Sequence, residues 1–369
     1  MEAASNVATG DASVGELARS PDFERSRVRR NVIWLIVLIL VIGALITLLP
    51  GLASLRDRLA RVSAPWLTVA IALKLLSGLS YVAVFRSVFC MKMRWRTSAE
   101  IGLSELGANA VLPTGGAGGL ALGAWALHRS GMSSARIARR SVAFFLLTSV
   151  PNVLGVVVLG VGLATGVFEG RASLALTIVP AVIAAGAIVL TIAAGRWAGE
   201  AADRLNERAG HSTRLAASLR ALADGVADGL WLLRRRDPWL IVGLIGYLAF
   251  DVMILWATFH AFGNVPPLAI IWIAYLIGEL GGLIPVPGGI GGVDLGLIGT
   301  LALYHVSLTS ATAAVLAYRA LALVVPLTVG VVAGLFLRRS LGREAVSIAN
   351  CEPGSEVEII GRGTVRVAS

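Results

Sequence analysis

The sequence predicts an all-α integral membrane protein, with about six full transmembrane helices and two broken or re-entrant helical hairpins arranged as an inverted repeat. Hydrophobic residues make up 56% of the 369 residues and charged residues only 15%. The mean hydropathy is +0.80, and one acidic, proline- and glycine-containing motif occurs twice. This composition is too apolar for a soluble domain, and several runs are long enough to cross a bilayer.

The duplicated motif breaks two apolar stretches at corresponding points. In the first copy, Glu105 and Asn109 are followed by Pro113, Gly115 and Gly118. In the second copy, 174 residues later, Glu279 is followed by Pro287, Gly289 and Gly292. Downstream of each copy lies a further proline, Pro151 or Pro326. Broken helices at corresponding positions of two halves are typical of transport sites near the bilayer midplane.

Hydropathy and length place the individual spans. We expect full crossings at residues 31–49, 65–85, 141–165, 174–194, 238–260 and 311–337. The predicted organisation is a disordered cytoplasmic tail (1–30), a membrane domain (31–340) and a polar C-terminal tail (341–369). Within the membrane domain we expect repeat one at 65–165, a cytoplasmic amphipathic segment at 196–237 and repeat two at 238–337.

The distribution of basic residues predicts the orientation. Most of the 32 lysines and arginines fall in the loops that these spans place on one side, which the positive-inside rule assigns to the cytoplasm. Both termini then lie in the cytoplasm. We expect the membrane to be the cell membrane. The net charge of +10 is thereby a topology signal rather than a sign of nucleic-acid binding. Cys90 and Cys351 both fall on the cytoplasmic side, so we expect no disulfide.

The two broken stretches must return to the side from which they start. Residues 97–127 contain a second arm of about 11 residues, too short to span, which predicts a re-entrant hairpin. For residues 268–305 both a hairpin and two full crossings fit the sequence. The copies enter from opposite sides in either case.

Two further segments have recognisable patterns. Residues 212–231 are amphipathic at helical spacing, and fit either a helix on the inner membrane surface or a cytoplasmic helix packed on the bundle. Residues 356–368 alternate as a β-hairpin does.

Charged residues inside spans are costly and usually functional or paired. The sequence places six there: Lys74, Glu105, Asp251, Glu279, Asp294 and Arg319. Glu105 and Glu279 fit either a proton- or headgroup-sensitive gate or simple partners of the amides freed at the break. Arg319 fits either a phosphate ligand or an ion pair with Asp294 or Glu279. A pair between Lys74 and Asp251 would join the two halves.

The candidate lipid-binding set comprises three carboxylates, two other polar side chains and the prolines and glycines of the two breaks: Glu105, Glu279, Asp294, Asn109, Arg319, Pro113, Gly115, Gly118, Pro287, Gly289 and Gly292. Amides at the starts of the second arms, near Gly118 and Gly292, would present partial positive charge to a phosphate. Close helix packing through small residues explains the same glycines, and Asn109 fits an interhelical hydrogen bond. No catalytic triad, metal-ligand cluster or cofactor motif is visible, so we expect no enzyme activity, metal or cofactor.

The chain resembles the transmembrane region of lysylphosphatidylglycerol synthases, the flippase-like domain family. The likeness rests on Leu112-Pro-Thr-Gly-Gly-Ala-Gly-Gly, Ile284-Pro-Val-Pro-Gly-Gly-Ile-Gly-Gly-Val-Asp and Ala317-Tyr-Arg319, and covers about residues 30–340. It implies a helical membrane domain associated with moving lipids between leaflets. The chain ends about 30 residues after its last span, so we expect no aminoacyl-transferase domain.

The resulting functional hypothesis is translocation of a phosphate-bearing phospholipid or polyprenyl-linked lipid. The alternative is a non-transporting accessory protein that supports a lipid-modifying enzyme or glycosyltransferase. The expected partners are anionic membrane lipids, and the second hypothesis adds a partner enzyme.

Overall fold

The computed structural model describes residues 63–111, 117–168, 174–209, 214–280, 291–340, 351, 356–360 and 364–368. The predicted N-terminal tail and first span lie outside these ranges, as do Pro113, Gly115, Pro287 and Gly289. All described residues belong to one compact unit, Ser54–Ser369.

The described residues form ten helices and one β-hairpin. The helices are α1 (Ala64–Phe89), α2 (Trp95–Val111), α3 (Ala117–Arg129), α4 (Ser134–Ala164), α5 (Leu174–Ala209), α6 (Arg214–Arg234), α7 (Pro238–Ala261), α8 (Leu268–Leu280), α9 (Gly292–Leu303) and α10 (Leu308–Ser340). Strands β1 (Glu356–Ile360) and β2 (Thr364–Ala368) pair antiparallel, as the alternating pattern predicts.

Five of the helices are long and apolar enough to cross a membrane: α1, α4, α5, α7 and α10. They coincide with five of the predicted spans. Helices α3 and α8 have 13 residues each and α9 has 12. Helices of 12 or 13 residues are about 18–20 Å long, well short of a hydrocarbon core of about 30 Å.

The long helices α1 and α7 pack against each other in opposite directions. Ser63, which precedes α1, donates from its backbone amide to the carbonyl of Ala261 at the end of α7. Further along, Gly243 near the start of α7 approaches Val84 near the end of α1. Each helix therefore begins where the other ends.

The helices before and after the α5–α6 pair make corresponding contacts. Helices α1, α2, α3 and α4 correspond to α7, α8, α9 and α10, and each packing contact in one set has a counterpart in the other. For example, α2 packs on α10 as α8 packs on α4. The duplication in the sequence is thus also a duplication of packing.

Two hydrophobic cores lie at opposite ends of this bundle. The first, which we call the Phe85 core, joins the end of α1, the start of α2, the end of α3, the starts of α4 and α7, and the end of α10. The second, the Phe259 core, joins the start of α1, the ends of α4 and α7, the start of α8, the end of α9 and the start of α10. The hairpin α2–α3 therefore starts and ends at one core, and α8–α9 starts and ends at the other.

The two ends of the bundle differ in their number of basic residues. Around the Phe85 core lie many arginines, including Arg86, Arg94, Arg96, Arg129 and Arg139. The described segments 63–70, 155–168, 258–275 and 295–315 at the Phe259 core contain no lysine or arginine. Tryptophans mark both ends, with Trp66 against Trp256 (ring centroids 5.4 Å apart) and Trp95 against Trp239 (5.1 Å).

The amphipathic segment forms α6, which packs on α4 and α5. Small residues permit this contact: a Cβ at Gly225 would lie 2.5 Å from the Cβ of Val142 in α4. Asp228 of α6 also forms an ion pair with Arg139, 2.8 Å away. Of the two arrangements that fit the sequence, the structure has the helix packed on the bundle.

A disulfide joins Cys90, directly after α1, to Cys351. The expectation of unpaired cysteines, which rested on the compartment alone, is wrong for this structure. The chain brings the two Cα atoms to 5.9 Å, within the range that a disulfide spans.

Candidate functional site

The intramembrane charges gather where the two halves meet. The ammonium of Lys74 in α1 donates to Oδ1 of Asp251 in α7 at 2.8 Å, with side-chain exposures of 11% and 7%. Glycines bring the helices together, since a Cβ at Gly246 would lie 2.6 Å from the Ser80 hydroxyl. The Lys74–Asp251 pair, one option that the sequence raised, is present.

Tyr275 extends this pair into the second hairpin. Its hydroxyl donates to Oδ2 of Asp251 at 3.4 Å. Its ring meets that of Tyr318 in α10 edge to face, with centroids 6.1 Å apart. Two aromatic side chains thus place polar hydroxyls in the otherwise apolar core around Asp251.

A second ion pair lies at the start of α9. Arg319 of α10 donates from Nε to Oδ1 of Asp294 at 2.7 Å. The other oxygen, Oδ2, accepts from the backbone amide of Gly291 at 2.9 Å. Gly291 has a φ of +95°, which glycine adopts at little cost, so the chain can turn sharply into α9. Asp294 therefore caps α9 and pairs with Arg319 at once.

Glu279 connects the two ion pairs. The residue is half-buried near the end of α8, and its carboxylate interacts electrostatically with Arg319, Asp251, Lys74 and Asp294. We call these five residues the charged cluster. In ionised form it contains three carboxylates and two cations, so both cations already have acidic partners and the cluster has an excess of negative charge.

The first hairpin has a different arrangement. Asn109 of α2 accepts through Oδ1 from the amide of Gly119 at 2.7 Å, which satisfies one amide in the first turn of α3. A Cβ at Gly119 would lie 2.4 Å from the carbonyl oxygen of Glu105, so only glycine allows the two helices to approach this closely. Gly118 lies beside it in the same turn.

Glu105 is enclosed between α2 and α3. The residue is 1% exposed, and its carboxylate faces Gly123, where a Cβ would lie 3.0 Å from Oε2. The Tyr81 hydroxyl interacts with this carboxylate, yet neither oxygen has a donor in good hydrogen-bond geometry. Burying a carboxylate with so little compensation is costly.

Two tyrosines connect Glu105 with the charged cluster. Tyr81 and Tyr247 have ring centroids 5.5 Å apart. Tyr247 interacts electrostatically with Glu105 on one side and with Asp251 and Glu279 on the other. Two tyrosines therefore lie between Glu105 of the first hairpin and the charged cluster.

Sequence reasoning missed these aromatic residues. Four of the five tyrosines in the chain, Tyr81, Tyr247, Tyr275 and Tyr318, lie in or beside the cluster. A tyrosine in the middle of an apolar span is the signal that could have found them, because its hydroxyl needs a polar partner. In the described part of the chain, no group of His, Cys, Asp and Glu is arranged to hold a metal ion.

Comparison with known proteins places the chain in a family. A search of curated proteins finds no match. The family model described as the lysylphosphatidylglycerol synthase TM region matches residues 34–330, well over half of the 369 residues. This span includes α1 to α9, most of α10 and the whole charged cluster. The chain therefore belongs to the family of lysylphosphatidylglycerol synthase transmembrane regions, membrane domains linked to lipid handling.

Proposed function

We propose that this protein moves a phosphate-bearing lipid, a phospholipid or a polyprenyl-linked lipid, between the leaflets of the cell membrane. One observation carries the proposal: the hairpin α8–α9 and the long helices α1, α7 and α10 bring five charged side chains together inside the bundle. Charges inside membrane spans are costly, and those that occur are usually paired and often mark the path of a polar substrate. No catalytic activity is part of the proposal.

The packing supports an inverted repeat. The corresponding helices α1 and α7 run antiparallel, so the rotation that relates the repeats exchanges the two ends of the bundle. In a membrane this axis lies in the bilayer plane, as in transporters that alternate access to a central site.

Helix length supports two re-entrant hairpins. The arms α3, α8 and α9 are too short to cross, and each hairpin returns to the core from which it starts. Irregular backbone at membrane depth is tolerated where protein surrounds it or where it lines a wet cavity.

The charge distribution supports the orientation. The arginines around the Phe85 core favour the cytoplasm for that end by the positive-inside rule. The hairpin α2–α3 then enters from the cytoplasm, and α8–α9 enters from outside.

Within this mechanism Glu279 is the gating residue. It interacts with both ion pairs, so a change in its charge or position alters the balance on Arg319 and Lys74 together. Glu105, enclosed by the other hairpin, has the corresponding position in the first repeat. Asn109 and Asp294 already hold amides at the arm starts, so a phosphate would have to compete with them there.

The direct test uses purified protein in liposomes that contain a fluorescent phospholipid, with movement followed by quenching of the outer leaflet. We expect the wild-type protein to equilibrate the leaflets and Glu279→Gln to slow this at least tenfold. Glu200→Gln is the matched control, because Glu200 lies on α5 with a side chain 63% exposed, and it should retain full activity.

Two outcomes would contradict the proposal. Full activity of folded Glu279→Gln would remove Glu279 from the mechanism. A wild-type protein that moves no lipid, but co-purifies with a lipid-modifying enzyme or glycosyltransferase, would favour the accessory function instead.

A further inference from the structure

A cleft between α1, α2 and α10 reaches the charged cluster from the side of the bundle. Its walls are apolar and include Leu103 and Leu106 of α2 and Val329 of α10. Leu75, also in the lining, is 44% exposed, so the cleft opens at the bundle surface.

Two polar side chains of α1 line the same cleft. Lys74 and Ser77 are three residues apart and so lie on one face of the helix. The Ser77 hydroxyl is buried and has no hydrogen-bond partner, and the residue is 1% exposed. A buried hydroxyl without a partner is costly, which favours a ligand that supplies one.

Lys74 has donors to offer in addition to its bond with Asp251. An ammonium carries three N–H groups, and the bond at 2.8 Å to Asp251 uses one of them. A phosphate oxygen can accept from both Lys74 and Ser77, while an acyl chain lies along the apolar walls.

The second repeat does not share this chemistry. At the offset of 174 residues that relates Glu105 to Glu279, Ser77 corresponds to Asp251 and Lys74 to Leu248. Leu248 is buried and apolar. At these two positions, therefore, the first repeat presents a cation beside a hydroxyl and the second does not.

We infer that this cleft, the Lys74 cleft, binds the phosphate of a membrane lipid through Lys74 and Ser77 and gives that lipid lateral access to the charged cluster. The inference rests on the proposed function and adds the place at which the lipid enters.

The test measures ligand binding by thermal stabilisation of the purified full-length protein. The probes are dioleoyl-phosphatidic acid, dioleoylglycerol and inorganic phosphate. We expect stabilisation by phosphatidic acid alone, because the cleft offers contacts to both a phosphate and an acyl chain. Equal stabilisation by dioleoylglycerol would overturn the phosphate contact, and equal stabilisation by inorganic phosphate would overturn the lipid assignment.

Two variants examine the cleft itself. Val329→Trp fills it and should weaken phosphatidic acid binding at least tenfold. The matched control Val332→Trp places the same side chain on α10 at a residue that is 53% exposed and outside the cleft lining, and it should bind as wild type. Ser77→Ala removes only an unpartnered hydroxyl, so it should fold normally and bind about five- to tenfold more weakly.

The results separate this inference from the proposed function. Lipid movement that persists in folded Val329→Trp would reject the Lys74 cleft and leave translocation intact. Binding lost in Val329→Trp and Ser77→Ala, in a wild-type protein that moves no lipid, would keep the cleft and reject translocation.

Discussion

The ammonium of Lys74 lies 2.8 Å from Oδ1 of Asp251, across the helices α1 and α7 that hold corresponding places in the two repeats. Both side chains are largely buried, so the pair lies where water screens little of its interaction. It links the two halves through charge as well as through packing.

Breaking this pair should destabilise the protein. Lys74→Met leaves a buried carboxylate without its cation, and we expect it to lower the free energy of unfolding by about 3–5 kcal/mol. The double variant Lys74→Met/Asp251→Leu replaces both charges by apolar groups and should recover most of that loss. Chemical denaturation in detergent measures both, and an additive loss in the double variant would contradict the pairing.

The two roles of Asp294 can be separated by a pair of substitutions. Asp294→Asn keeps an oxygen that can cap α9 and loses the charge opposite Arg319, whereas Asp294→Ala loses both. We expect the alanine variant to be less stable than the asparagine variant by about 1 kcal/mol in thermal unfolding.

Asp203 provides the control for this comparison. It lies inside α5, paired with Arg220 on the surface, and caps no helix. The variant Asp203→Ala should be at least as stable as Asp203→Asn, because alanine is the better helix former. If the alanine variant were at least as stable as the asparagine variant at position 294 as well, the capping role of Asp294 would be excluded.

The contact between Gly107 and Gly330 should tolerate no side chain. A Cβ at Gly330 would lie 2.6 Å from the Cα of Gly107, so the backbones of α2 and α10 would have to separate. We expect Gly330→Ala to cost about 1–3 kcal/mol in the free energy of unfolding. Gly299→Ala in α9, where nothing lies within 4 Å, should be neutral or slightly stabilising. Equal effects of the two substitutions would be inconsistent with this helix crossing.

Glu105 and Glu279 should both tolerate replacement by glutamine. Glu105→Gln removes a charge from an enclosed position without a well-placed donor, so stability should rise by about 1 kcal/mol or more. Glu279→Gln removes one of three carboxylates that face two cations, so the excess of negative charge in the charged cluster disappears and stability should not fall. Thermal unfolding of the two variants under one condition measures both effects, and a fall in stability in either variant would show that its carboxylate has stabilising partners.

The sequence predicted the spans well because length and hydropathy are local properties. Helices α1, α4, α7 and α10 cover the predicted crossings closely. The helices that contain Glu105 and Glu279, α2 and α8, end near the predicted breaks. Helix α5 is longer than predicted and runs to Ala209. The position of α6 was left open by the sequence, since an amphipathic face fits a lipid surface as well as the surfaces of neighbouring helices such as α4 and α5.

It was harder to predict which charged residues pair with each other than to predict which residues lie in the site. Mid-span charge was enough to select Lys74, Asp251 and Arg319, because burial makes charges rare. Which carboxylate Arg319 meets depends on how α9 and α10 are rotated about their axes, and the sequence left both Asp294 and Glu279 open. Ser77 was missed for a related reason: a serine in a helix usually bonds its own backbone, and only the packed structure shows that this one does not.

The bond between Cys90 and Cys351 also closes a ring of chain that contains every helix from α2 to α10. A protease that cuts once anywhere inside this ring leaves the pieces in one covalent particle, and a reducing agent then separates them. Fragments that part only after reduction would reveal this closure on an ordinary gel.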